Sequence, residues 1–200
     1  MNQNEDRETE SPLPSITTIS LLSGLVWLIL SVIIIHFFQE RLFWDVLIEG
    51  ESLFIQLAAG TVSGILFGIA AVKLVDHPQL KKVLDDYVII RQIREYRLTP
   101  FQIGQLSIVA GITEEILFRA AIQPLIGIWF TSLLFIAIHG YIRFKTVHHF
   151  MFGLFTFFLS MMLGYLFMFF GILAAIVAHA VYDVIVLWKI SHEPMNEKLY

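Results

Sequence analysis

Long apolar stretches separated by short polar segments set the pattern of the chain. Each stretch approaches or exceeds the roughly 20 residues that an α-helix needs to cross a hydrocarbon core about 30 Å thick. The third and fourth stretches are separated only by Gln123 and Pro124. The pattern predicts an all-α fold, a polytopic membrane helical bundle with about six transmembrane helices. The spans are predicted at 16–38, 52–75, 101–122, 125–140, 150–169 and 172–188.

The segment 73–97 interrupts this apolar pattern. It mixes apolar residues with cations, which is typical of an amphipathic helix on a membrane surface. We predict one cytoplasmic amphipathic helix here, with its apolar face in the headgroup boundary of the inner leaflet and its cations near anionic lipid. The cations are Lys73, Lys81, Lys82, Arg91, Arg94 and Arg97.

The second span carries Gly60, Gly64 and Gly68 at four-residue spacing. Small residues on one face let a neighbouring helix approach closely within a membrane. We therefore expect this span to pack inside the bundle.

The composition supports a membrane protein and excludes several classes of site. Apolar side chains make up 57% of the residues, and charged side chains make up 15%, whereas soluble domains are about 45–50% apolar. The chain has no cysteine, which excludes disulfides, thiolate nucleophiles and cysteine-ligated zinc. A net charge of −4 gives no basic field for a nucleic-acid partner.

The positive charges predict the orientation, because cytoplasmic loops retain Lys and Arg. With the N-terminus inside, the loop cations fall on the cytoplasmic side except Arg41. Both termini are then cytoplasmic. Residues 1–15 are predicted to form a disordered tail, 16–190 a single intramembrane helical domain and 191–200 a cytoplasmic tail.

Six ionisable residues lie inside the apolar spans, where a charge costs several kcal/mol unless it has a partner. On a helix, residues four apart share a face, so Glu115 can pair with Arg119. Glu114 points about 100° away from Glu115, which leaves one carboxylate free. His179 and Asp183 also share a face, by the same spacing. The six residues are Glu114, Glu115, Arg119, His139, His179 and Asp183.

The chemistry that these residues suit is hydrolysis. A carboxylate held away from bulk water can act as a general base towards a water molecule, and Glu114 is the candidate. One imidazole can orient that water, while a second imidazole and a short polar side chain can donate hydrogen bonds to an oxyanion. Glu115 and Arg119 are interpreted as structural support for Glu114. The other histidines are expected to be solvated, namely His36, His77, His148, His149 and His192.

Three motifs carry a family resemblance. They are EEILFR at 114–119, FIAIH at 135–139 and HAVYD at 179–183. In this order they resemble the EExxxR, FxxxH and HxxxN/D motifs of the CAAX protease and bacteriocin-processing family, also called CPBP or Abi. Each motif alone is weak, whereas three in order within hydrophobic spans are specific. The resemblance implies an intramembrane endopeptidase whose catalytic core lies at 101–188.

By this resemblance, Glu114 and His139 would activate the water, and His179 with Asp183 would line the oxyanion site. The chain departs from the family pattern at two positions. Ala120 stands where many members carry Gly, which a helix tolerates. Asp183 replaces the Asn of the CAAX-processing branch. Because an ionised carboxylate only accepts hydrogen bonds, Asp183 is either protonated or orients His179.

The sequence leaves open whether the reaction uses a cofactor. We favour a mechanism that requires no cofactor, because the chain has no HExxH helix, in which a glutamate beside the metal is the base. The alternative is a zinc site formed by Glu114, His139 and His179 with an open position for water.

Two other functions would use the same residues. A non-catalytic membrane immunity or scaffold protein would bind a peptide or partner in the polar cavity, and a proton-coupled transporter would use the residues as a relay. Internal symmetry would favour a transporter, and we detect none. For an endopeptidase, the partners are a membrane-anchored or lipidated peptide or protein substrate and the lipid bilayer. The small size favours the cytoplasmic membrane of a prokaryote.

Overall fold

The computed structural model describes residues 16–192. The tail predicted at 1–15, and the tail predicted at 191–200 except its first two residues, lie outside the described residues. The described chain is helical almost throughout. Its helices are α1 (Ile16–Gln39), α2 (Phe43–Ile48), α3 (Leu53–Asp76), α4 (Pro78–Leu84), α5 (Val88–Tyr96), α6 (Pro100–Glu115), a π-helical segment (Ile116–Ile122), α7 (Gln123–Ile138), α8 (Val147–Phe170) and α9 (Ile172–Ser191).

Five helical runs in the described residues are long and apolar enough to cross a membrane. They are α1, α3, the run Pro100–Ile138, α8 and α9. This confirms the predicted all-α membrane bundle. The count differs from the expected six because the third and fourth predicted spans join into one run of 39 residues.

The run Pro100–Ile138 folds back on itself at Gly127. Gly127 has φ 79° and ψ 165°, a conformation open to glycine because it has no Cβ. In a straight helix Glu114 and His139 would be about 37 Å apart, yet their side chains approach to 3.3 Å. Glu114 precedes Gly127 by 13 residues, and His139 follows it by 12. The two arms are therefore nearly equal in length and reach the same depth.

The return arm is shorter than the fourth predicted span. Gln123 and Pro124, where the sequence pattern predicts the break, continue the helix, because proline is tolerated in a first helical turn. From Gly127 to Ile138 the helix rises only about 16 Å, which is too short to cross the hydrocarbon core alone. The stretch 125–140 is thus a return arm that ends at the depth of Glu114.

The amphipathic segment forms two short helices, α4 and α5, rather than one. Some of their apolar side chains pack against protein, whereas Val88 and Ile89 of α5 stay exposed, and the place of this face in a headgroup boundary stays a prediction. Leu84, Tyr87 and Ile90 are buried in a core cluster with Phe152 of α8 and Ile190 of α9. Since burial of apolar surface is worth about 25 cal/mol per Å², this packing docks α4 and α5 onto the bundle.

One of the cations predicted to face lipid is buried as well. Arg94 is 5% exposed and forms an ion pair with Asp85 at the end of α4. Arg91 and Arg97 are exposed. Arg94 therefore ties α5 to α4, and the basic surface that can meet anionic lipid is smaller than expected.

Glycines bring α9 into close contact with α3 on one side and α6 on the other. A Cβ at Gly64 would lie 2.6 Å from the Ala178 carbonyl oxygen. A Cβ at Gly111 of α6 would lie 3.0 Å from the Ile176 carbonyl oxygen. The glycines of the second span thus face α9, as close packing requires, but only 22% of α3 is buried, so the prediction that this span lies inside the bundle is wrong.

The start of α9 is held by the loop that precedes α3. Gly50 and Gly171 form an antiparallel backbone bridge. Gln56 of α3 accepts a hydrogen bond from the Leu173 backbone N–H at 3.1 Å and donates one to the Glu51 carbonyl oxygen at 2.8 Å. These contacts set the depth at which α9 begins.

Gly64→Ala is expected to loosen the packing of α3 on α9. The added methyl group would meet the Ala178 backbone at 2.6 Å, so one helix must shift, and overpacking costs about 1–3 kcal/mol. Thermal unfolding in detergent measures the loss. Gly104→Ala is the matched control, because a Cβ there meets nothing within 4 Å and Ala favours a helix. Unchanged unfolding of Gly64→Ala would contradict the close contact.

Candidate active site

Glu115 and Arg119 form a fully buried ion pair, as their spacing predicts. Arg119 Nε donates to Glu115 Oε2 at 3.0 Å, and both side chains are 0% exposed. Arg119 Nη2 donates to Ser160 Oγ of α8 at 2.9 Å. The guanidinium also lies 5.4 Å from the centre of the Phe135 ring on α7. Arg119 therefore joins three helices, which its position in the motif does not indicate.

The turn that carries Arg119 is the π-helical segment. A π-turn leaves backbone groups without their usual helical partners and is frequent at functional sites. Gln39, at the end of α1, supplies partners for two of these groups. Its Nε2 donates to the carbonyl oxygens of Ala120 and Ala121, both at 2.8 Å. Ala120, the first departure from the family pattern, is accommodated in the core.

Glu114, His139 and His179 converge from α6, the end of α7 and α9. Glu114 Oε2 lies 3.3 Å from His139 Nε2 and 4.0 Å from His179 Nε2. The Glu114 side chain is 16% exposed, so it faces open space, whereas the neighbouring Glu115 does not. The structure thus brings together the three residues that the sequence predicts to share one site.

Hydrogen bonds through Nδ1 orient both imidazoles. His139 Nδ1–H donates to the Phe135 carbonyl oxygen at 2.8 Å, and the two rings stack. His179 Nδ1–H donates to Glu115 Oε1 at 2.7 Å. Because Nδ1 carries a proton in each ring, Nε2 is the atom presented to Glu114. The sequence pattern indicates Arg119 as a partner of Glu115 but not His179.

Asp183 lies one helical turn after His179, on the same face of α9. Its Oδ2 is 3.5 Å from His179 Nε2. Of the two alternatives for this carboxylate, the contact favours orientation of His179.

The four predicted catalytic residues line one cavity of about 330 Å³. Most of its wall is apolar, and its only charged or imidazole side chains, in the described residues, are those four. Ile89 and Ile93 of α5 also border the cavity. The segment 73–97 thus reaches the cavity through α5. The four residues are Glu114, His139, His179 and Asp183.

Asp86 ties the loop after α7 to the connection between α4 and α5. His149 Nε2–H donates to Asp86 Oδ2 at 3.1 Å, and Lys145 Nζ donates to the same oxygen at 3.2 Å. The Lys145 hydrogen bond, together with that of His149, holds the pKa of the Asp86 carboxyl below its usual value. The prediction that His149 is solvated is wrong, because its ring is buried and Thr146 Oγ1 donates to its Nδ1. Exposed, as expected, are His36, His77 and His192.

The predicted zinc ligands match the spacing of a metal site only in part. Within residues 16–192, no group of three or more His, Asp or Glu side chains is arranged to hold a metal ion. Glu114 Oε2 and His179 Nε2 are 4.0 Å apart, whereas two ligands of tetrahedral zinc, each about 2.0 Å from the metal, would be about 3.3 Å apart. Glu114 Oε2 and His139 Nε2, 3.3 Å apart, do have this spacing, so the zinc alternative stays a prediction.

Comparison with known proteins supports the resemblance to this family. Residues 97–185 match the family model described as type II CAAX prenyl endopeptidase Rce1-like. The match includes all three motifs and confirms the resemblance to the CPBP family. Neither the curated proteins nor the solved structures gave a match to the chain. The apolar helices indicate an integral membrane protein, and its segment 97–185 is similar to CAAX prenyl endopeptidases.

Arg119→Ala is expected to destabilise the protein more than Ser160→Ala. Loss of the guanidinium leaves the buried Glu115 carboxylate without its cation, at a cost of about 3–5 kcal/mol. Ser160→Ala removes one hydrogen bond to that cation, which is worth about 1–3 kcal/mol. Expression level and thermal unfolding in detergent measure both losses. An Arg119→Ala protein as stable as wild type would show that the pair is not structural support.

Proposed function

We propose that this membrane protein is an endopeptidase that hydrolyses a peptide bond near the membrane surface with a water molecule activated by Glu114 and His139. The observation that carries the proposal is the meeting of one carboxylate and two oriented imidazole Nε2 atoms at a cavity. The match of the segment 97–185 to prenyl endopeptidases supports it.

The reacting water bridges Glu114 and His139 from the cavity side. Two acceptor atoms 3.3 Å apart are close enough for one water to donate a hydrogen bond to each. These two bonds direct the lone pairs of the water oxygen into the cavity. His139 is suited to this role because its Nδ1–H is already bonded to the Phe135 carbonyl oxygen, which leaves the Nε2 lone pair free to accept.

The Glu114 carboxylate takes one proton from the water as the water oxygen attacks the carbonyl carbon of the peptide bond. The carbonyl oxygen becomes the oxyanion of a tetrahedral intermediate. Glu114 then gives its proton to the leaving nitrogen, and the C–N bond breaks. The products are a carboxyl group and an amine, and Glu114 is again a carboxylate.

His179 faces the oxyanion in this reaction. Its Nδ1–H is bonded to Glu115, so a second proton on Nε2 makes the ring a cation that can donate to the oxyanion. The Asp183 carboxylate, 3.5 Å from Nε2, stabilises that cation. Asp183 thus acts through His179 as a positioning residue.

The substrate is a membrane-anchored or lipidated peptide. The cavity wall is mostly apolar and is bordered by α5, which carries the exposed Arg91. A peptide tethered to the bilayer can therefore reach Glu114 by lateral diffusion, with its apolar part against the cavity wall.

Glu114→Gln is expected to abolish cleavage without unfolding the protein. Glutamine keeps the shape of the side chain but cannot take a proton, and loss of a general base lowers rates about 10²–10⁴-fold. The measurement is cleavage of a panel of membrane-anchored peptides by the purified protein in vesicles, read by mass spectrometry. Glu95→Gln, an exposed change on α5, is the control and should cleave like wild type.

Full cleavage by Glu114→Gln would contradict its role as the base. Binding of the panel by wild type without any cleavage would instead favour the non-catalytic immunity or scaffold protein, since a mostly apolar cavity with a few polar groups also suits peptide binding.

Removal of metal ions is expected to leave cleavage intact, because the proposed mechanism requires no cofactor. Protein in vesicles is dialysed against EDTA, its zinc content is measured by mass spectrometry, and cleavage is assayed before and after. One zinc ion per chain, with loss of cleavage on chelation and recovery on zinc addition, would replace this mechanism by the zinc alternative at Glu114, His139 and His179.

A further inference from the structure

The oxyanion of the proposed reaction needs hydrogen-bond donors, and the motif residues supply few of them. Oxyanion sites usually present two or more donors to the developing charge. His179 Nε2 can provide one. Asp183 cannot provide a second while it is ionised, because a carboxylate only accepts hydrogen bonds. The site therefore needs a donor from outside the three motifs.

Tyr141 lies two residues after His139 and lines the same cavity. Both residues belong to the cap that ends α7. Gly140 has φ 72°, its N–H donates to the Ala137 carbonyl oxygen at 3.0 Å, and the Tyr141 N–H donates to the Ile136 carbonyl oxygen at 2.9 Å. This pair of bonds is the Schellman motif, which fixes the backbone just beyond a helix. Tyr141 and His139 are thus held in one rigid unit.

The Tyr141 ring is held from several sides. It stacks on His139 with 5.6 Å between ring centres and 22° between planes. It meets Phe152 edge-on at 5.5 Å and Tyr87 edge-on at 5.9 Å. A Cβ at Gly153 of α8 would lie 2.9 Å from the Tyr141 carbonyl oxygen, so α8 packs directly against its backbone. A ring confined in this way presents its hydroxyl in a set direction.

The Tyr141 hydroxyl is available as a donor. Burial, followed by the nearby carboxylates of Asp183 and Glu114, raises its pKa, so it keeps its proton at neutral pH. Tyr141 also lines the cavity that holds Glu114, His179 and Asp183.

We propose that the Tyr141 hydroxyl donates a hydrogen bond to the oxyanion of the tetrahedral intermediate, beside His179. The role rests on the proposed function. The Tyr141 hydroxyl supplies the hydrogen-bond donor that an ionised Asp183 cannot provide. The hydroxyl is fully preorganised by the cap and the ring contacts, as electrostatic stabilisation of a transition state requires.

Tyr141→Phe tests the role, because it removes only the hydroxyl and keeps the ring contacts. In vesicles with a membrane-anchored peptide that wild type cleaves, kcat should fall about 10²-fold while KM stays unchanged, as expected for an interaction made only in the transition state. Affinity for a phosphonate analogue of the tetrahedral intermediate should fall by a similar factor. Affinity for the uncleaved peptide, measured in the Glu114→Gln background, should not change.

Tyr87→Phe is the matched control. Tyr87 belongs to the same ring cluster, and its buried hydroxyl has no hydrogen-bond partner in the described residues. Burial raises the pKa of Tyr87 to about 12, so its hydroxyl is neutral throughout the assay range. Tyr87→Phe should retain the wild-type kcat and analogue affinity, and all variants should unfold at the wild-type temperature.

Wild-type kcat and analogue affinity in Tyr141→Phe would overturn the role of Tyr141. Equal losses in Tyr141→Phe and Tyr87→Phe would overturn it too, because they would reflect the ring cluster rather than a donor. A loss in Tyr182→Phe alone would assign the donor to the other cavity-lining tyrosine. Cleavage by Glu114→Gln would refute the proposed function itself. The kcat of Tyr141→Phe tests only the role of Tyr141, so the two failures can be told apart.

Discussion

The buried carboxylate of Glu115 is the constraint on which the rest of the site depends. A carboxylate with 0% exposure has lost its hydration, which costs several kcal/mol unless partners replace it. Both oxygens have partners, Oε2 in Arg119 and Oε1 in His179. Arg119 continues to Ser160 of α8. One carboxylate therefore holds α6, α8 and α9 together and sets the ring orientation of His179.

The second requirement of the site is that its polar side chains lie at the same depth in the bundle, although they come from three helices. A slip of one residue along a helix moves a side chain by about 1.5 Å, enough to break a hydrogen bond. The equal arms on either side of Gly127 match His139 to Glu114. The close contact of Gly64 with Ala178 and the bridge at Gly171 set the level of α9. Small residues thus control the geometry of the charged ones.

The sequence predicts the features that depend on composition and on spacing within one helix: the membrane bundle, the packing glycines and the pair of Glu115 with Arg119. Apart from the three motifs, whose meeting the family resemblance implies, it does not predict contacts between distant segments. His149 resembles a solvated loop residue until Asp86, 63 positions earlier in the chain, is placed beside it. The fold-back at Gly127 has no clear signal either, because a glycine in an apolar run is equally consistent with helix packing. The π-helical segment likewise arises from tertiary contacts.

The orientation of the imidazoles bears on the choice between hydrolysis and proton transport. A relay must pass a proton onward, whereas hydrolysis returns to the leaving group the proton that it takes from water. A proton that crossed the His139 ring would meet a backbone carbonyl oxygen, and one that crossed the His179 ring would meet Glu115. Glu115 is fully buried and paired with Arg119, so neither route continues through the described residues. Proton exchange is therefore confined to the cavity side of both rings, among Glu114, Asp183 and the two Nε2 atoms, which is where the proposed hydrolysis needs it.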